Sequence, residues 1–381
     1  MTSTTPKPRS ASPNGDSPAG DDRLSHLRSL AFSGLPRMFD AASGRFFFRL
    51  RRTPSGIVPE GHSDRYTAIT LLGLAGEALA GARTVLHGAE PGAIWRSLAA
   101  RSAKSPNLGD VALTLWAGVA LGEAGREGLI ARLLELRPAD AVHPTVEVAW
   151  TLAALTVDVE APVGDTRERL TRRLLDSQGA RSGAFPHVLG DSGGLRGHVC
   201  CFADLVYPIQ ALSFRAQRAG DRASAEAARR AAELIVRRQG ADGQWWWHYD
   251  QRTGEVVEGY PVYAIHQDAM APMALLAARE ATGVDFSAAI HRGLDWLERS
   301  PELGGRSLID DAAGLIWRKV ARREPGKLSR ALQAGASRLH PGLRVPGLDL
   351  AFPPQAIDYE DRPYHLGWLF YAFPANRPHL P

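Results

Sequence analysis

Gln239-Gly-Ala-Asp-Gly243-Gln-Trp245 closes the amphipathic run Ala225–Arg238, and Gln178-Gly-Ala-Arg-Ser-Gly183-Ala-Phe185 closes the earlier run Arg169–Ser177. Each copy reads as helix, glutamine, short loop, glycine, one spacer and an aromatic. A glutamine amide can satisfy the free carbonyls that a helix leaves at its C-terminus. The glycine supplies the positive φ of a terminating turn, and the aromatic covers the seam to the next element. A punctuation that occurs twice implies a repeated unit, here a helical hairpin.

The rhythm extends both ways from these copies. Tyr66–Ala80 has apolar residues at helical spacing behind Ser63 or Asp64 as N-cap, and Ile94–Ala103 answers as an outer helix. Asn107-Leu-Gly-Asp110 and His143-Pro-Thr-Val-Glu147 introduce two further apolar runs, with Arg126–Leu136 as the outer helix between them. Leu24–Phe39 reads as a first helix, Phe46–Leu50 as a short extended piece, and His291–Leu297 as an outer helix. Ile316–Ala336 is a basic, partly helical stretch broken at Pro325-Gly326, and a Pro-rich loop then leads to the closing helix. Six apolar runs therefore open on polar clusters: Arg65-Tyr66, Asp110, Glu147, Asp204 with Tyr207, His266-Gln267-Asp268, and Tyr364-His365. Hairpins set in a ring would bring these openings around one cavity. The expected fold is all-α, an α/α toroid of about six hairpins.

Gln239–Trp245 resembles the glutamine–tryptophan repeat of terpenoid cyclases and related prenyltransferase toroids, and similar endings recur in six-hairpin carbohydrate enzymes. The likeness covers about 100 residues around the two copies, and the hairpin rhythm extends it over most of Ser63–Phe373. It implies an α/α toroid. The cyclase likeness also implies an Asp-x-Asp-Asp acid motif at an inner-helix start. Gln267-Asp268-Ala-Met-Ala matches the tail of that pattern, and Asp358-Tyr-Glu-Asp361 matches its spacing with Glu in the third place.

The whole chain sets bounds on this reading. With 381 residues, 44% hydrophobic and 23% charged, it has the composition of a globular protein. Residues 1–22, rich in Ser, Thr, Pro and Gly, hold too little apolar surface to fold and read as a disordered tail; 23–381 reads as one toroid domain. No secretory apolar stretch of roughly 7–15 residues is present, and no segment reaches the ~18 apolar residues of a membrane span, so the expected compartment is the cytoplasm. Cys200 and Cys201 are adjacent, a poor geometry for a disulfide. A net charge of +4, with arginines spread along helices, argues against a nucleic-acid partner and leaves room for an anionic substrate. Gly197-His198-Val-Cys200-Cys201 with Asp204 has metal-ligand residue types but no Cys-x-x-Cys pair, and no metal or cofactor is expected.

The chemistry concentrates in Trp245-Trp246-Trp247-His248, continued by Tyr260, Tyr263 and His266-Gln267-Asp268. Aromatic faces beside acids and amides are suited to holding a sugar ring. Asp268 or His266 is expected as acid or base, Tyr260 or Tyr263 as a second proton carrier, and Asp361 as a further acid. Trp245, Trp246, Trp247 and His248 would form the stacking platform, and Arg65 and Arg362 would clamp an anion. Gln267, Tyr66, Asp204, Tyr207, Tyr364 and His365 would complete the binding surface. The basic stretch 318–338 reads as an exposed face that could meet a membrane surface. The expected function is an intracellular enzyme acting on an anionic, lipid- or nucleotide-linked sugar or glycan. The alternatives are an isoprenoid cyclase or transferase, and a non-catalytic glycan-binding scaffold.

Overall fold

A computed structural model of the chain describes residues 18–190 and 194–375. The expected tail lies outside the described residues as far as position 17; from Pro18 onward the chain is already helical.

Six inner helices form a closed ring: Asp64–Leu74, Leu108–Ala120, Thr145–Val157, Ala203–Ala219, Ala271–Thr282 and Pro363–Ala372. Each packs on the next in chain order, and the sixth packs on the first. The outer helices are Pro18–Met38, Pro91–Ser102, Glu127–Glu135, Thr166–Ser177, Arg222–Arg237 and Ser287–Arg299. The first of these packs on the sixth inner helix and so covers the closure. The chain is an all-α toroid, as expected, with short β hairpins on its loop side.

The division of labour follows from the sequence. Outer helix Arg222–Arg237 buries Ala227, Ala228, Ala231, Ala232 and Ile235 along one face and leaves its arginines outside. Inner helix Thr145–Val157 is buried from Glu147 to Thr156, because it has neighbours on every side. Ser63 caps the first inner helix by accepting from Tyr66 N at 3.2 Å. One contiguous apolar core runs from Leu24 to Phe373.

The two punctuation copies make the same bonds. Gln178 Nε2 donates to the carbonyls of Gly183 and Ala227, and Gln239 Nε2 to those of Gly243 and Ala289, all at 2.9 Å. Each amide thus ties its own loop to the following outer helix. Gly243 has φ +101°, and a Cβ there would stand 2.0 Å from the Arg292 carbonyl oxygen, so no other residue fits. Phe185 and Trp245 are fully buried in the seams.

The loop side carries the extended pieces. Arg45–Thr53 pairs with Gly56–His62 and with Glu360–Asp361. Lys319–Ala321, expected within a partly helical stretch, is instead a strand between Val262–Tyr263 and Ala356–Asp358. Its β-branched centre, Val320, is fully buried in the core. No described helix is long and apolar enough to cross a membrane.

Candidate functional site at the mouth of the ring

The inner helices start at one end of the ring, and their opening residues meet there. Arg65 spans three staves: Nε donates to Asp110 Oδ1 at 2.7 Å, Nη2 to Glu147 Oε1 at 2.9 Å, and Nη2 also to Asn107 Oδ1. Its guanidinium lies 5.3 Å from the Trp150 ring centre. Trp150 meets Tyr207 edge-on at 4.9 Å, and Tyr207 meets Trp368 at 5.9 Å, which gives the mouth an aromatic floor.

Staves five and six lie across the ring from staves two and three. There Tyr364 stacks on Tyr66 at 4.5 Å, and Phe48 stacks on Tyr66 at 5.3 Å. Arg362 donates to Tyr66 Oη at 3.0 Å and covers the Phe48 ring. Glu360 binds Arg49, Arg362 and Arg318 at 2.7, 2.7 and 2.5 Å. Burial alone would raise the Glu360 pKa, but Arg318 and Arg362 prevail and hold it below the usual range. Arg318 covers Tyr263, which lies 5.0 Å from His266 and 5.5 Å from Trp247. Trp247 is half-buried and stacks on His248 at 3.9 Å. Burial pushes His266 down to about 3, so its imidazole is neutral at ordinary pH.

His266-Gln267-Asp268 does not open the fifth inner helix as a solvent-facing N-terminus. His266–Met270 is one π turn, a geometry that often marks functional segments, and all five residues are buried. Both oxygens of Asp268 face His365 Nε2, at 2.8 and 2.9 Å, and His365 Nδ1 stands 3.7 Å from Asp361 Oδ1. Asp268 and Asp361 are 0% exposed. Asp361 also accepts from the backbone N–H groups of Arg362 and Ile316. These two acids are therefore fully enclosed, on either side of the His365 ring.

Several other expected site residues are spent elsewhere. Trp245 is seam packing, pressed against Gly293. Gln267 uses its amide on the backbone, with Nε2 donating to the Tyr263 carbonyl at 3.1 Å and Oε1 accepting from Trp245 N at 3.2 Å. Trp246 and Tyr260 line a separate outer cavity of about 440 Å³ with Glu258 and Arg322, and Tyr260 Oη donates to Glu302 at 2.7 Å. Arg65 is no free anion clamp, because two carboxylates already meet its charge. Asp204 is fully buried, with Oδ2 accepting from His187 Nδ1 at 2.9 Å and from Cys201 N at 2.7 Å. The basic stretch is only partly exposed: Arg318, Arg322 and Arg330 turn inward to Glu360, Glu258 and Glu324.

The structure brings forward Glu147, Asp110, Arg318, Glu360 and His187, which were absent from the expected site. Glu147 and Asp110 were visible as inner-helix openings. Nothing local marks Arg318, whose partner Glu360 lies far along the chain, or His187, whose partner Asp204 stands at the start of the next inner helix. Among the described residues, one group has donors spaced for a metal: His187, Cys201 and Asp204, with ligand atoms within 4.8 Å of one another. His198 and Cys200 are not in it, since His198 faces Ser337 and Cys200 is buried in its strand.

A further cavity of about 760 Å³ lies at the opposite end of the ring, lined by Leu72, Phe214, Met273, Leu276 and Tyr371. Gln210, Arg279 and Glu280 also line it, and the polar openings of the inner helices described above are at the other mouth.

No family model and no curated protein matches the chain. Among solved structures it is similar to a sugar epimerase from a ruminal bacterium, at 13% identity and TM-score 0.62, covering 93% of this chain and 98% of that one. It is likewise similar to cellobiose 2-epimerase from Bacillus thermoamylovorans, at 11% and 0.61, covering 93% and 100%. An unsaturated glucuronyl hydrolase specific for heparin matches at 13% and 0.58, covering 93% and 96%. At such identities the likeness speaks for the fold, and it agrees with the ring traced above: the chain is an α/α toroid over nearly its whole described length.

Proposed function

We propose that the chain is an intracellular enzyme acting on a carbohydrate, an anionic or a lipid- or nucleotide-linked sugar, by acid/base chemistry at the mouth of the ring. The observation that carries this reading is the composition of the two facing walls. One holds Glu147 and Asp110 around Arg65; the other holds Arg318 and Arg362 around Glu360, among Tyr66, Tyr364, Tyr263 and Trp247. A sugar needs this mixture, with aromatic faces for its C–H surface and charged groups for its hydroxyls and carboxylate. An isoprenoid cavity calls for near-continuous aromatic lining with one acid. The epimerases and the glucuronyl hydrolase of similar fold act on sugars by their own names, which supports the same class.

In this reading Glu147, nearly buried beside Arg65, replaces Asp268 as the leading acid/base candidate. Tyr263, beside neutral His266, is the second proton carrier on the facing wall. Arg318 and Arg362 receive the anionic group, and Trp247 and Tyr364 stack on the ring. The test is a thermal-shift panel of uronic acids, nucleotide sugars, lipid-linked sugars and prenyl diphosphates. A rise with a sugar that is lost in Trp247→Ala supports the reading; a rise with prenyl diphosphates alone overturns it in favour of a cyclase.

The same proposal includes a peripheral membrane contact. Helix Leu328–Leu339 turns Ser329, Gln333 and Ser337 inward and leaves Leu328, Leu332 and Leu339 on the outside, the last 86% exposed. Leu343 and Leu350, a few residues on, are exposed too, as are Lys327 and Arg344. Leucines outside with cations beside them suit an anionic lipid surface.

A further inference from the structure

His187, Cys201 and Asp204 come from three backbone segments that are each fixed independently. The carbonyl of His187 accepts from Thr145 N at 3.0 Å, which pins it to the start of the third inner helix. Cys201 ends the strand Val199–Cys201, in register with His248. Asp204 lies in the first turn of the fourth inner helix. Three donor types, imidazole nitrogen, thiol sulfur and carboxylate oxygen, thus converge on one point between two staves of the ring.

A second observation is the state of Asp204. The residue is 0% exposed, and while Oδ2 accepts two hydrogen bonds, Oδ1 is buried with no hydrogen-bond partner. A buried carboxylate oxygen without a donor is costly unless something electropositive meets it. On the other side the His187 side chain is 59% exposed, so the cluster is closed by protein on one face and open to solvent on the other.

We propose that His187, Cys201 and Asp204 bind a divalent transition-metal ion, zinc by their donor chemistry, with one coordination position open to solvent. A nitrogen–sulfur–oxygen set selects zinc or a similar borderline ion over magnesium and calcium, which take oxygen alone. Three protein ligands with a free fourth position is the arrangement of sites that hold water or substrate on the metal, whereas structural sites are filled by four. A thiolate and a carboxylate balance the two positive charges, and the ion supplies the missing partner of Asp204 Oδ1. His248 is Cys201's neighbour across the strands, and Tyr207 lies one turn beyond Asp204.

The proposal stands apart from the carbohydrate reading, and its test needs no substrate. The full chain is stripped with chelator, dialysed against zinc or cobalt(II), and its metal content is measured beside the absorption spectrum of the cobalt form. One equivalent of metal is expected, with a thiolate-to-cobalt charge-transfer band. His187→Ala, at an exposed side chain, and Cys201→Ser lose the equivalent and the band, while Cys200→Ser keeps both. Circular dichroism of each variant checks that the fold persists. Metal content well below one equivalent in the wild-type chain overturns the site, as does a band that survives in Cys201→Ser.

Discussion

His365 Nε2 lies 2.8 Å from Asp268 Oδ1 and 2.9 Å from Oδ2, a buried contact that joins the sixth inner helix to the π turn of the fifth. Asp361 approaches the other ring nitrogen. Burial alone would make this imidazole neutral, but the two carboxylates prevail and raise it to about 10. The ring of helices is thus closed at this junction by a charge cluster.

Stability should depend on pH through this histidine. Its folded pKa is raised above the ordinary 6.5, so its contribution is complete below pH 6.5 and is lost as pH rises toward about 10. His266 acts at the other limit: its folded value is depressed to about 3, so stability is lost as pH falls from 6.5 toward that value. Urea unfolding across pH should show the alkaline decline in wild type and a shallower one in His365→Asn. His266→Asn should flatten the acid side instead.

Asp268 and Glu147 should separate stability from turnover. Asp268→Ala leaves the buried His365 with only the longer Asp361 contact and should cost about 3–5 kcal/mol in urea unfolding. Glu147→Gln keeps its shape beside Arg65 and should leave the chain folded, while lowering turnover on a sugar identified by the panel by roughly 10²–10⁴-fold. Full turnover in Glu147→Gln would remove it from the chemistry.

The glutamine staples predict equivalent losses at two seams. Gln239→Ala removes two bonds at 2.9 Å and leaves the Gly243 and Ala289 carbonyls short of a donor. About 1–3 kcal/mol should be lost, and Gln178→Ala should lose a similar amount. Chemical denaturation of the two variants side by side measures this. Unequal costs would mean that the two copies are not mechanically alike.

Vesicle binding should report on the outward leucines. Wild-type chain should sediment with vesicles containing phosphatidylserine and stay in solution with pure phosphatidylcholine. Leu332→Asp with Leu339→Asp, both at exposed positions, should abolish sedimentation without moving the melting temperature. Sedimentation that persists in the double variant would place the contact elsewhere or dismiss it.

Much of the fold was legible because it is local. Helical periodicity, the Ser63 cap and the glutamine–glycine–aromatic endings each depend on residues a few positions apart. The site was legible in outline only. The six openings do meet, yet which side chains face the opening depends on partners distant in sequence. Arg318 is turned inward because Lys319–Ala321 pairs with Val262–Tyr263 and Ala356–Asp358, and its carboxylate partner Glu360 comes from another sheet. Three consecutive tryptophans received three different fates, seam for Trp245, outer cavity for Trp246 and mouth for Trp247, and composition cannot sort them. The π turn withdrew Asp268 from the surface that an ordinary helix start would have given it.

Arg362, Tyr364 and His365 complete one wall of the mouth, and all belong to the stave that leaves the ribosome after the other five. Until it emerges, Tyr66 has only Phe48 to stack on and Asp268 lacks His365, and the wall facing Glu147 lacks half its groups. Translation therefore times the assembly of this pocket: a nascent chain can wind five hairpins and still be unable to hold a ligand, and a premature stop upstream of Arg362 would yield an open crescent rather than a weakened enzyme.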